Sequence, residues 1–220
     1  MPHHKKLYLI LLLLIAVGAL MLYYQIKKAR SIVTTYVATP IVSPTPSYIP
    51  IDPTDPTLGN PGATLWIVEF ADLGCKHCQE VHYAIANFVK NNPEKARLIW
   101  KDAPQTSLFS WGNLPAHIAA HCAYEQGQFW KFSELAMSDK NNLKEAGLTK
   151  VAQGLGLDLV KWNTCRAALD TKNKILDSMA LAKKLNVTDL PGIFVNNKKI
   201  NLTADINIGE LLTKFSVIPQ

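Results

Sequence analysis

Two cysteines separated by two residues, Cys75-Lys76-His77-Cys78, constrain this chain more than any other stretch. At that spacing a pair closes a small disulfide ring or supplies half of a tetrahedral zinc site. The flanks separate the two. Residues 65–70 form an apolar run that reads as a strand, and Val81, Ile85, Phe88 and Val89 follow Cys78 at the spacing of one helix face. The motif therefore opens a helix. Unpaired N–H groups and the positive end of the helix dipole favour a thiolate at Cys75, and Lys76 and a protonated His77 add to that. Cys75 is the expected nucleophile. Cys78, inside the first turn, is expected to attack a mixed disulfide from within. Zinc normally needs a second close pair of ligands. Cys122 and Cys165 lie far apart in sequence, and His117 and His121 lack the intervening Glu of a zincin helix. No metal and no other cofactor is expected, and His82, His117 and His121 are read as surface or packing residues without a role.

Ahead of the motif lie two segments of different composition. Residues 7–24 carry no charge and are flanked by Lys5 and Lys6 on one side and by Lys27, Lys28 and Arg30 on the other. Such a run covers about 27 Å as a helix, close to a bilayer's hydrocarbon core, and Tyr23 and Tyr24 suit the interface. Residues 1–30 are read as a single-pass membrane anchor. A cleaved signal peptide is the rival, with Val17-Gly18-Ala19 as its cleavage site, but the apolar run continues past that point. Residues 31–62 hold seven prolines among many Ser and Thr. They are read as a linker, either an extended spacer or a disordered tether.

From residue 63 to residue 220 the pattern is that of a folded domain. A strand over 65–70, a helix to about Lys90 and a strand over 97–101 make a β-α-β opening. Residues 115–185 are rich in Ala, Leu and Lys at helical spacing, with breaks expected at Gly127, Gly147, Gly154 and Gly156. A strand after Pro191, an Asn196-Asn197 turn, a strand through Ile200 and a helix over 208–215 close the chain.

The strand leading to Glu69-Phe70, a short loop and Cys-x-His-Cys at a helix start resemble the active site of the DsbA-like thiol-disulfide oxidoreductases, a branch of the thioredoxin superfamily. Leu190-Pro191-Gly192 with residues 193–198 is similar to that family's cis-proline loop and hairpin, and residues 122–130, from Cys122 to Trp130, resemble part of its helical insertion. The resemblance spans residues 63–216. It implies an α/β thioredoxin fold with an inserted helical domain, here preceded by one transmembrane helix and a Pro-rich linker. It also implies a cis Leu190–Pro191 bond beside the cysteines, with Leu190 left to pair with an extended substrate. Glu69 then falls where the family carries an acid under the disulfide, and a partly desolvated carboxyl there is suited to exchange the Cys78 proton. The other reading of Glu69 is an exposed residue on the polar face of its strand.

Charge adds little to this. Of the net +6, residues 1–30 supply five Lys/Arg and no acid, whereas residues 63–220 carry 18 basic against 15 acidic residues. A nucleic-acid surface would need Lys/Arg clustered on the domain, so no nucleic-acid partner is expected. Four cysteines allow two pairs, the second being a structural disulfide between Cys122 and Cys165. Disulfides persist outside the cytosol, which places the N-terminus in the cytoplasm and the domain outside. The function expected is a membrane-anchored extracytoplasmic oxidoreductase that passes its Cys75–Cys78 disulfide to unfolded or reduced client proteins. The resemblance implies a quinone-linked membrane partner that reoxidises it. The alternatives are a reductase or isomerase of the same fold, and a non-catalytic thioredoxin-like module that binds a metal or a partner.

Overall fold

The computed structural model describes residues 3–35, 48–107, 110, 112–202 and 208–217. The chain divides into two units, Met1–Pro44 and Thr45–Gln220. The described residues of the first form a helix, α1 (His3–Thr35). Its stretch Ile10–Lys27 has a mean hydropathy of 2.0, long and apolar enough to cross a membrane. The helix runs past the expected boundary at residue 30, where no proline lies between residue 30 and Pro40 to stop it.

The second unit is built on five strands: β1 (Thr57–Gly59), β2 (Leu65–Ala71), β3 (Ala96–Asp102), β4 (Gly192–Val195) and β5 (Lys198–Ile200), in the spatial order β1-β3-β2-β4-β5. Only β2 and β3 are parallel, joined by the crossover helix α2 (Lys76–Asn91). The remaining pairs are antiparallel. β2 is central and reads as a continuous apolar run because both of its faces are covered. On one side, Leu65, Ile67, Leu98 and Val195 pack with Val81, Ile85 and Val89 of α2 and with Leu212 of the closing helix α8 (Ile208–Val217). On the other, Val68, Phe70, Ile99 and Phe194 meet Ala182 and Leu185. Each large apolar side chain buried this way contributes about 1.5–3 kcal/mol.

Between β3 and β4 come α3 (Leu114–Tyr124), α4 (Phe129–Ser138), a 3-10 turn (Lys140–Leu143), α5 (Glu145–Gly154), α6 (Leu159–Ala167) and α7 (Leu169–Lys184). This is the expected helical insertion, and its core runs from Phe129, Phe132 and Trp162 to Leu73 and Cys78 at the end of the sheet. Gly147 is not a break. It lies inside α5, where a Cβ would stand 2.1 Å from the carbonyl oxygen of Asn141, so its small size admits the preceding turn. At the β4–β5 hairpin Asn196 and Asn197 take φ of 47° and 67°, which a tight primed turn requires.

The boundary expected at residue 62 shifts. Ile49 is buried in the core, β1 pairs with β3, and Trp100 N–H donates to the Pro56 carbonyl at 2.9 Å. Lys101 Nζ lies 2.6 Å from Asp55 Oδ2. Residues 48–62 thus belong to the folded unit. Their prolines punctuate an edge segment instead of marking a linker. The part of the expected linker at residues 36–47 lies outside the described residues.

Candidate active site

Cys75 is the N-cap of α2, with φ −87° and ψ 117°, and its Sγ accepts a hydrogen bond from Cys78 N at 3.1 Å. A sulfur there faces the free N–H groups of the first turn, the electrostatic setting that favours thiolate. Cys75 is half-buried. Cys78 is fully buried, and the two are joined as a disulfide with Cα atoms 5.2 Å apart. A groove of about 180 Å³ runs beside Cys75, walled by Met137, Leu143, Lys76 and Lys140.

Lys76 and His77 point outward, their side chains 84% and 59% exposed. Glu80, not singled out from the sequence, places its carboxylate 4.0 Å from Lys76 Nζ and 3.9 Å from His77 Nδ1. The i,i+4 and i,i+3 spacing announced that contact. A carboxylate facing Lys76 and His77 weakens the positive field they can place at Cys75.

Glu69 is completely buried, so the exposed-strand reading of it does not hold. Its Oε2 lies 2.8 Å from His82 Nδ1, and His82 is also fully buried. The expectation of a surface histidine fails because residue 82 shares the inward face of α2 with Cys78, one turn back, and with Ile85 and Val89. Trp130 stacks on its ring at 5.8 Å, and Trp100 meets it edge-on at 5.6 Å. Burial works against a proton on His82, but the charge and hydrogen bond of Glu69 outweigh it and raise the pKa. Glu69 Oε1 and His82 Nε2 make no hydrogen bond, leaving one open valence on each member of the pair. Replacing His82 with Ala strands a buried carboxylate and is expected to cost about 3 kcal/mol, read as a lower denaturant midpoint. An unchanged midpoint would show that the Glu69–His82 pair does not support the fold.

Leu190–Pro191 is cis and leads directly into β4, as the resemblance implied. Leu190 also lines a cavity of about 370 Å³ with Ala103, Pro104 and Val187. In the insertion Cys122 of α3 and Cys165 of α6 are bonded, with Cα atoms 5.7 Å apart, within the range a disulfide accepts. His117 and His121, expected to be unremarkable, are buried beside Asp72 and Asp102. Their partners lie on β3 and the loop after β2, too far along the chain for local spacing to reveal. Among the described residues, no group of three or more His, Cys, Asp or Glu is arranged to hold a metal ion.

The thioredoxin family model matches residues 52–212. This chain belongs to the thioredoxin family. Its structure is similar to a thioredoxin-like oxidoreductase from Silicibacter pomeroyi DSS-3, with 27% identity, a TM-score of 0.63 and coverage of 76% of this chain and 91% of that one. The thiol-disulfide exchange protein alpha-DsbA2 from Wolbachia pipientis shares the fold at 23% identity, with a TM-score of 0.65 over 75% of this chain and 87% of that one. In sequence the chain is 28% identical over 152 residues to the Na(+)/H(+) antiporter NhaA 3 of Salinispora tropica. That match takes in 69% of this chain and 23% of the antiporter, so the chain spans about a quarter of the length of the curated relatives it matches. The thioredoxin fold that the resemblance implied is thereby borne out. The Cys75–Cys78 pair, at the start of α2, fits a redox-active site.

Proposed function

We propose that the chain is a membrane-tethered, extracytoplasmic oxidase that donates the Cys75–Cys78 disulfide to unfolded or reduced client proteins. The observation that carries this reading is the pairing of a half-buried Cys75 sulfur at a helix N-cap with a fully buried Cys78. A client thiolate attacks Cys75 Sγ, and the Cys75–Cys78 bond breaks, with Cys78 leaving as the thiolate. Glu69 and His82 are suited to deliver the proton that Cys78 then takes up, since both belong to a buried pair on the inner side of α2. A second client thiolate displaces Cys75, and the client leaves oxidised by two electrons. The helix terminus stabilises the Cys75 thiolate, which belongs to the reduced enzyme, and a disulfide whose reduced form is stabilised is a strong oxidant. Leu190, before the cis-proline, offers its backbone to an extended client chain, and the groove at Met137 and Leu143 suits apolar side chains exposed by unfolding. Turnover needs a reoxidant, for which a quinone-linked membrane partner is proposed.

Incubation with a reduced, unfolded disulfide protein separates this reading from its rivals. Net oxidation supports it, net reduction or reshuffling identifies a reductase or isomerase, and no turnover identifies a binding module. His77 gives a finer check: His77→Ala is expected to lower the reduction potential and slow client oxidation, and an unchanged potential would remove His77 from the account. Glu80 acts in the opposite sense, so Glu80→Gln is expected to raise the potential.

The tether rests on α1, and the match to proteins named as antiporters supports a membrane setting. With the N-terminus cytoplasmic and the domain outside, protease added to intact cells should remove the domain. An epitope on the domain that is reached only after lysis would reverse that topology.

A further inference from the structure

An unbroken chain of buried polar groups joins the loop that presents Cys75 to a cavity of about 440 Å³ bordered by Lys101, Lys174 and Asp177. His121 and Asp102 line that cavity. From them the chain runs inward: His121 Nε2 to Asp102 Oδ2 at 2.6 Å, then Asp102 Oδ1 to His117 Nδ1 at 2.7 Å. His117 Nε2 ends it, 3.2 Å from the Leu73 backbone nitrogen and 3.4 Å from Asp72 Oδ1. Asp72 in turn organises the loop. Its side chain accepts from Gly74 N, Gln105 N and Asn113 Nδ2, and its carbonyl accepts from Cys75 N at 3.0 Å.

The two contacts at His117 Nε2 exclude each other. A bare Nε2 accepts the Leu73 N–H and offers nothing to a carboxylate. A protonated Nε2 donates to Asp72 and leaves the Leu73 N–H without that acceptor. Nδ1 has no such choice, since it faces Asp102, which also takes the Trp100 indole N–H at 2.9 Å and is acceptor-only when ionised. One proton at one atom therefore decides which of two consecutive loop residues His117 holds. We propose that His117 is a proton-dependent positioning residue for Cys75, setting its loop in one of two arrangements. This rests on the reading of Cys75 as the nucleophile.

The titratable groups around His117 are Asp72 from the loop after β2, Asp102 from β3 and His121 from its own helix. Around them α4 brings the Phe129 ring, 5.7 Å from His121, and α6 brings Trp162, whose indole N–H bonds the Ala119 carbonyl. α5 brings Leu148, and α7 brings Lys174 and Asp177 to the cavity beside His121. Burial opposes a charge on His117, but the hydrogen bonds and charges of Asp102 and Asp72 win and push its pKa up to about 9. The sign follows. Below that value Nε2 is protonated and held by Asp72, and as pH rises through it the proton leaves and the Leu73 bond closes.

The test uses the full-length oxidised chain, isotope-labelled, in detergent micelles, followed by NMR from about pH 6 to about pH 10.5. The His117 ring nitrogens and the Leu73 amide should titrate with one shared midpoint, the amide proton moving downfield as Nε2 loses its proton. A Leu73 amide that stays put while His117 titrates would overturn the proposal, as would an Nε2 that does not titrate in that range. In the reduced protein, the pH profile of Cys75 alkylation should show a second inflection at the same midpoint, lost in His117→Gln; its persistence in that variant counts against the proposal. If His117→Gln fails to fold, the wild-type spectra decide. They need no client and no turnover, so a failure of the oxidase reading leaves this result standing, and the reverse.

Discussion

Cys78→Ala is expected to abolish client oxidation completely and to leave Cys75 able only to form mixed disulfides. Without Cys78 there is no internal disulfide to donate, so no electron pair passes from a client. Cys75 keeps its N-cap position and its partial exposure, so its thiolate still attacks client disulfides. The sulfur that would resolve those complexes is the fully buried one that has been removed. Non-reducing gels should therefore show an adduct that persists until thiol is added. Cys75→Ala should give no adduct at all, since Cys78 has no access to a client. Equal adduct yields from the two variants would reverse the assignment of nucleophile and resolving thiol.

Loss of the Cys122–Cys165 disulfide is expected to lower stability substantially. The bond ties α3 to α6 across a sequence separation of 43. Closing a loop of that length restricts the unfolded chain by about 4 kcal/mol on the entropy model. For a folded unit of this size that corresponds to a melting temperature lower by about 10 °C. Cys122 and Cys165 are both buried, and a double Cys→Ala change also loses their packing within the insertion core. A melting temperature within a degree or so of the parent protein's would mean that the helices are held by packing alone.

The elements that place the active site were legible in the sequence because each carries a local signal. The apolar run of β2, the helical spacing after Cys78, the paired asparagines of the hairpin and the closing helix all report structure within a dozen residues. Ile49, Pro56 and β1 carried no such signal. A three-residue edge strand set among prolines looks like a linker until β3 is there to pair with it. The buried histidines fail for a related reason. His82 meets Glu69 at a sequence distance of 13, and His117 meets Asp72 at 45, so only the fold reveals that each imidazole has a carboxylate partner. Glu69 was ambiguous because alternation assumes one polar face, whereas β2 is covered on both. Glu80 was the opposite case, a contact to Lys76 and His77 that helix spacing did offer.

In the proposed reaction, electrons flow from clients into the Cys75–Cys78 pair. Its direct test is the reduction potential of the full-length protein, measured by equilibrium with glutathione. The potential is expected to lie well above the glutathione couple, so that the protein is largely reduced in a buffer that leaves glutathione partly oxidised. A value as reducing as a thioredoxin's, about −270 mV, would contradict it and make the protein a reductase.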